Sequence, residues 1–165
     1  MASAGIRAAK KEQALLAAPG GLADNIAALA ELEQTTLPEF TLRQLVAANV
    51  AQELIEQATA VKFPAVHVFC EKIANTLREK FRTFSGKVFM VVEVRVSQDR
   101  LEGLERAMQI YVDAVMRVLD QHRGDWGEGM FYTGGYDAQF GPVKHGGRNF
   151  IQTAVVRFEV QVSID

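Results

Sequence analysis

The chain has 165 residues, 48% of them hydrophobic, and a formal net charge of -2 at pH 7. This is most simply one domain with enough apolar residues for a core. The near-neutral charge argues against a dedicated nucleic-acid-binding protein, and the single cysteine excludes an intramolecular disulfide and a cysteine-based zinc site. No apolar run reaches the roughly 18–20 residues that span a bilayer, so we expect a soluble protein made in the cytoplasm.

Residues 1–38 are rich in alanine and are broken at Pro19-Gly20-Gly21 and at Pro38. After the glycines, four apolar residues at helical spacing predict a short amphipathic helix: Leu22, Ile26, Leu29 and Leu32. Isolated helices this short are marginal in water, so the segment needs a surface to dock on. We favour a flexible or partner-docked arm over an integral core helix, and we assign residues 39–165 to a single α+β domain.

Two further elements follow the arm. Thr41 and Gln44 form a capping-box pattern and predict a helix to about Thr59. Pro64 ends the helical pattern, and residues 65–70 alternate as a strand. Cys70 on this strand is interpreted as a small buried hydrophobe rather than a catalytic nucleophile, because no base partner is suggested.

Residues 71–85 fit either a helix or a strand that leads to a turn. They form the most basic stretch of the chain, with Arg78, Lys80 and Arg82. A solvated face is the favoured interpretation, and a surface that meets an acidic partner or nucleic acid is the alternative.

The central stretch is a strand followed by a helix. Residues 87–97 alternate with period 2 and predict a strand with one buried face. Asp99 and Glu102 resemble a capping box, and an apolar stripe from Leu101 to Leu119 predicts a long amphipathic helix across the sheet. Gly124 is the expected residue after its end.

Residues 124–147 are rich in glycine and aromatic side chains. Two short strands, 130–133 and 136–140, are expected to form a hairpin at Gly134-Gly135, and residues 144–148 are expected to form an exposed loop tip. The carboxylates Asp125, Glu128 and Asp137 suggest turn chemistry, with a divalent-ion site as the less favoured interpretation.

The last stretch, 150–165, alternates strongly and predicts a second long strand. If it pairs antiparallel with the first, its Arg157 and Glu159 could complement Glu93 and Arg95. The predicted fold is therefore α+β, with a mixed or antiparallel sheet of about four to five strands and with a long amphipathic helix and an N-terminal helix packed on it.

Catalytic and cofactor signatures are not found in the sequence. It lacks a P-loop, a dinucleotide-binding glycine fingerprint, a nucleophile elbow, a zinc-protease motif and an EF-hand loop. We therefore predict a protein that is not an enzyme and that holds no cofactor or metal.

The order of elements resembles the tail terminator proteins of long-tailed bacteriophages, of the lambdoid kind. Three stretches within residues 41–165 carry the resemblance: Phe63-Pro64-Ala65-Val66-His67-Val68, Val92-Glu93-Val94-Arg95-Val96 and Phe158-Glu159-Val160-Gln161-Val162. The chain departs from the pattern in residues 1–38 and in the glycine-rich segment.

The resemblance implies a subunit that closes into a hexameric ring, caps the tail tube, ends tube polymerisation and provides the joining surface for the head. The implied partners are other copies of the chain, the tail tube protein, the head–tail connector protein and a sheath protein. Genomic DNA would pass through the lumen without sequence-specific binding. The implied location is the virion tail or neck, with assembly in the host cytoplasm and no membrane. The candidate contact residues are Arg78, Lys80, Arg82, Trp126, Tyr132, Lys144, His145 and Arg148.

Three alternatives stay open. A head–tail connector or tail-completion protein would bind the head side of the same assembly. A small ligand-binding domain or enzyme would use a pocket in the glycine-rich segment. An RNA-binding sheet could expose Phe69 and Phe89, although neither lies in a recognisable RNP motif.

Overall fold

The computed structural model describes residues 3–49, 62–75 and 84–164. Its helices are α1 (Ala4–Ala17), α2 (Leu22–Leu32) and α3 (Leu104–Gln121). Its strands are β1 (Leu45–Val46), β2 (Ala65–Ala74), β3 (Phe84–Gln98), β4 (Gly124–Gly127), β5 (Met130–Phe140), β6 (Lys144–Gly146) and β7 (Asn149–Ile164). Within these ranges the fold is α+β, as predicted.

The described strands form one mixed sheet in the order β1-β2-β3-β7-β5-β4, and β6 pairs with β7 beyond the end of β5. β1 is parallel to β2, and the other pairs are antiparallel. The sheet has seven strands rather than the expected four to five. The extra strands β1, β4 and β6 have two to four residues, which is too short for an alternating pattern to reveal.

The centre of the sheet is the pair β3 and β7, which confirms both long-strand predictions. The two strands pair without a break from Phe84 opposite Ile164 to Gln98 opposite Phe150. Their alternate side chains are buried beneath the helices: Val88, Met90, Val92 and Val94 on β3, and Val156, Phe158, Val160 and Val162 on β7. Period-2 patterning therefore located both the strands and their buried faces.

The prediction that Arg157 and Glu159 complement the charges of Glu93 and Arg95 across these strands is wrong. The register places Arg157 opposite Val91, and Glu93 instead forms an ion pair with Arg95 on its own strand. Glu159 pairs with Lys87, with Nζ and Oε2 3.3 Å apart. Alternation shows which side chains share a face, but it does not fix how far two strands slide against each other.

The helix α3 carries the predicted apolar stripe across the sheet. Ten of its residues are buried, among them Met108, Val112, Val115 and Leu119. The predicted Asp99 cap is wrong, because the helix begins five residues later, after Gly103.

The turn that precedes α3 explains the later start. The side-chain amide of Gln98 donates to the carbonyl oxygens of Arg100 and Glu102, at 2.6 and 2.9 Å. Leu101 remains 55% exposed instead of joining the stripe.

Within residues 3–38, α1 and α2 belong to the main core and do not form a separate arm. α2 follows the predicted spacing and packs chiefly on α3, while α1 packs on β2 and β3. Ala8, Leu16 and Leu22 are at most 1% exposed, in the same cluster as the sheet. The helices are short, but the surface on which they dock is the chain's own sheet and helix.

The helix predicted from Thr41 is also wrong at its start. The capping box of Thr41 and Gln44 exists, but it closes a single 3-10 turn that leads into β1. Gln44 Nε2 donates to the carbonyl oxygen of Pro64 at 3.0 Å, and Leu45 pairs with Val66. These long-range bonds divert the chain into the sheet. The remainder of the predicted helix, residues 50–59, lies outside the described residues.

The basic stretch 71–85, which fitted either a helix or a strand, is a strand at both of its ends. β2 runs past Cys70 to Ala74, and β3 begins at Phe84, so both ends are strands. Residues 76–83 lie outside the described part of the chain.

Candidate functional site: charged surfaces at two ends of a β-ribbon

Three of the exposed basic residues lie on a hairpin. β6 pairs with the start of β7, so that His145 is opposite Phe150, and Gly147 at the turn has a φ of +65°. Lys144, His145 and Arg148 are all exposed. The sequence predicted exposure correctly but expected a loop rather than a hairpin. We call these three residues the basic tip.

Contacts with β7 hold the basic tip in place. The His145 and Phe150 rings meet edge to face, with centroids 5.0 Å apart. Gly141 N donates to the Thr153 carbonyl at 2.8 Å, and Gln152 Nε2 donates to the Gly141 carbonyl at 3.0 Å. β5 and β6 therefore follow one edge of β7 in succession and present the tip at its end.

An acidic turn lies near the other end of β7, where β4 and β5 are joined. β4 and β5 are joined through Gly127, Glu128 and Gly129, where φ is positive at all three residues. Asp125 Oδ1 accepts a hydrogen bond from Gly127 N at 2.7 Å, which is the turn chemistry predicted for it. Asp125 and Glu128 are exposed, and we call them the acidic turn.

Trp126 and Tyr132 are core residues rather than exposed contacts. Trp126 is 6% exposed and Tyr132 is fully buried. Their rings pack against each other and against Phe158, with centroids 5.5–6.2 Å apart. Trp126 Nε1 donates to the His122 carbonyl at 2.7 Å. They therefore anchor the end of α3 to the sheet and are removed from the set of surface contacts.

The predicted Gly134-Gly135 hairpin is wrong, because β5 is continuous through it. The pairing of β5 with β7 is interrupted between Tyr132 and Tyr136, as in a bulge, and Gly134 there has a φ of +100°. Arg123 lies so close that a Cβ on Gly134 would be 2.8 Å from its Cδ. The glycines let the strand bend, and they do not reverse it.

Beside this bulge lies a cavity of about 370 Å³ whose lining includes Phe89, Asp137 and Arg157. Arg157 Nε pairs with Glu71 Oε1 at 3.1 Å, and its guanidinium also donates to Gln139 Oε1 at 3.5 Å. Arg157 is thus engaged with Glu71, which also lines the cavity. This is the place where the predicted glycine-rich pocket would bind a ligand.

The other predicted contact residues, Arg78, Lys80 and Arg82, lie outside the described residues. Of the eight candidates, the described part of the chain therefore places three on the surface, all in the basic tip, and two in the core.

His67 and Glu12 are two of the described groups whose pKa values are shifted from their usual range. Burial, with the nearby charge of Arg95, lowers the pKa of His67 and so favours its neutral imidazole. Burial alone raises the pKa of Glu12 in α1 to about 8. Sequence reasoning missed Glu12, although one signal was present: Glu12 lies four residues from both Ala8 and Leu16, on the buried face of α1.

Within residues 3–49, 62–75 and 84–164, no three His, Cys, Asp or Glu side chains come together as a possible metal site. In the same ranges, no helix has the length and apolarity needed to cross a bilayer.

Comparison with known proteins gives no match to a protein-family model and none to a curated protein.

Proposed function

We propose that the chain is a structural subunit of a phage tail neck: a ring-forming tail terminator that caps the tail tube, ends tube polymerisation and presents a joining surface to the head connector. Two things support this proposal. The first is the order of elements along the sequence, which resembles that family. The second, which carries the argument, is the placement of opposite charges at the two ends of β7.

The basic tip is paired with β7 at Asn149, and the acidic turn leads into Met130, which is opposite Val162. Thirteen residues of strand separate these positions, or roughly 40 Å at 3.3 Å per residue. The tip and the turn of one subunit therefore cannot meet each other, but the tip of one copy can meet the turn of the next.

Such a contact joins two different surfaces of the same protein, so it is heterologous. Heterologous contacts build closed rings when the rotation between subunits closes, and filaments when it does not. A hexameric ring is the closed form that the resemblance implies. Phe131, next to the acidic turn, is 47% exposed, and Phe140, before the basic tip, is 37% exposed. Both rings would add apolar area to the contact, one at each end.

The first experiment measures the mass of the full-length protein by light scattering and images large species by negative stain, alone and with isolated tail tubes. A ring of about six subunits that caps tubes and limits their length supports the proposal. Binding to heads but not to tubes would instead support the head–tail connector alternative. A monomer that binds neither tubes nor heads contradicts both.

A charge exchange tests the contact itself. Lys144→Glu with Arg148→Glu should abolish ring formation, and mixing this variant with Asp125→Lys, Glu128→Lys protein should restore mixed oligomers. A matched control reverses two exposed charges elsewhere, Arg43→Glu and Arg117→Glu, and should leave the mass unchanged. Normal rings from the basic-tip variant would remove this contact from the proposal.

A further inference from the structure

Glu12 is the least expected residue in the core. It lies on α1, is fully buried, and neither carboxylate oxygen has a hydrogen-bond partner among the described residues. An ionised carboxylate in such a place is strongly unfavourable, so the docked helix carries the protonated acid. This agrees with the rise of its pKa to about 8, which burial causes.

Among the described residues, no cation offsets the effect of burial on the pKa of Glu12. From β5, the Tyr132 hydroxyl is the titratable group that interacts with it electrostatically, and that hydroxyl donates to the Gly135 carbonyl at 3.2 Å. On β2 and β3, His67 and Arg95 alternate with the core-facing residues and so lie on the opposite face of the sheet. Cys70 of β2 lies against Gly5, near the other end of α1.

The other contacts that hold α1 on the sheet are weak. Besides Glu12, its buried residues are small except for Leu16: Ala4, Gly5, Ala8 and Ala9. Gln13 Nε2 donates to the Leu45 carbonyl at 3.3 Å. Hydrophobic stabilisation scales with apolar area, so alanines contribute little against the cost of the buried carboxyl.

The link to the rest of the molecule allows α1 to leave alone. α1 is followed by Pro19-Gly20-Gly21, where Gly20 has a φ of +76°. α2 packs mainly on α3, whereas α1 packs mainly on β2 and β3.

We propose that α1 is a protonation-controlled element: it docks on β2 and β3 while the Glu12 carboxyl is protonated and is released when that carboxyl ionises, with α2, α3 and the sheet still folded. This inference is independent of the proposed ring. On release, Val68 of β2 becomes accessible, and Cys70, which is half-buried while α1 is docked, becomes more accessible.

The sign of the pH dependence follows from linkage. The pKa of Glu12 is raised from 4.5 to about 8 in the docked state, so docking binds a proton. Docking is strongest below about pH 4.5, weakens as the pH rises, and levels off above about pH 8. Within that window, the equilibrium constant for docking falls about tenfold per pH unit.

Hydrogen exchange on the full-length chain tests this directly. After correction for the intrinsic exchange rate, the protection factors of the α1 amides from Ala8 to Leu16 should fall about tenfold per unit between pH 5.5 and 7.5. In Glu12→Gln they should stay level, and in the exposed control Glu31→Gln they should behave as in the unsubstituted chain. The α3 amides from Val112 to Val118 should stay protected throughout.

Each other outcome overturns the proposal. Level α1 protection in the unsubstituted chain would do so, as would an equal fall in Glu12→Gln, or a parallel fall in α3, which would indicate global unfolding. If circular dichroism shows that Glu12→Gln is unfolded, Glu12→Met takes its place as the neutral variant. Labelling of Cys70 by a thiol reagent gives a second readout, since its rate should exceed that of the neutral variant by a margin that grows from pH 6 to 8.

Discussion

α1 and α3 lie on the same face of the same sheet, yet they are held by different means. α3 buries ten residues, including large ones such as Leu104, Met108 and Tyr111. α1 buries mostly alanine and glycine, with Leu16 and a protonated carboxyl. The difference shows that burial does not measure how firmly an element is held, because stabilisation depends on the apolar area and on the polar groups buried with it.

At the helix starts the contrast is reversed, because α1 has a side-chain cap and α3 has none. α3 begins after Gly103, which offers no side-chain cap, whereas Ser3 Oγ accepts a hydrogen bond from Ile6 N at the start of α1. Beyond its last turn, α3 is tied down by Trp126 at the His122 carbonyl. Local capping therefore supports the weakly packed helix, and tertiary packing supports the other.

The largest effect is expected at the anchor of α3. Trp126→Ala removes a ring that packs on Tyr132 and Phe158 and should lower the free energy of unfolding by about 3–5 kcal/mol. Trp126→Phe keeps most of the apolar contact and should lose much less. Chemical denaturation at pH 6.5 gives both values. Equal losses would mean that the hydrogen bond to His122, rather than the ring packing, supplies the anchor.

A matched pair of leucines compares the helices directly. Leu119 of α3 and Leu16 of α1 are 0% and 1% exposed. Leu119→Ala should lower the free energy of unfolding by about 2–5 kcal/mol. Leu16→Ala should lower it by less, because the loss cannot exceed the free energy that docks α1. Urea unfolding with hydrogen exchange measures both, and equal losses would contradict a weakly docked α1.

The β5 bulge supports the end of α3 through backbone shape. At Gly134, φ is +100°, and an added Cβ would meet the Arg123 side chain, whereas a Cβ on Gly135 would meet open space. Gly134→Ala should cost about 1–2 kcal/mol of stability, and Gly135→Ala should change it little. Thermal unfolding compares the two, and a large loss in Gly135→Ala would indicate a role that its backbone does not explain.

Sequence patterns predicted β3, β7 and α3 because each is long and buries one continuous face. Periodicity over 11 to 18 residues averages out local exceptions. The predicted start of α3 and the helix predicted from Thr41 were wrong for a shared reason. Capping boxes are local signals, and at both places side-chain bonds from Gln98 and Gln44 to backbone carbonyls decide where the chain goes.

The candidate surfaces were predictable in part. The basic tip was recognised because charged residues beside glycines are seldom buried. Its relation to the acidic turn depends on the register of β7 with β5 and β6, which single-residue patterns do not contain. Glu12 was missed because a glutamate next to Lys10 and Lys11 is typical of a solvated helix, although its spacing from Ala8 and Leu16 places it on the same face as those apolar residues.

The smallest expected effect concerns the cap of α1. Ser3→Ala removes the bond from Ser3 Oγ to Ile6 N, 3.3 Å long, and should weaken docking of α1 by about 0.5–1 kcal/mol. Because α3 and the sheet do not depend on this cap, the α1 amides should lose protection about two- to fivefold while α3 amides stay unchanged. Ser3→Asp keeps an oxygen acceptor at the helix start and should retain the protection of the unsubstituted chain. A Ser3→Ala loss shared equally by α3 would show that the two helices unfold as one unit, and the contrast between them would then be one of packing alone.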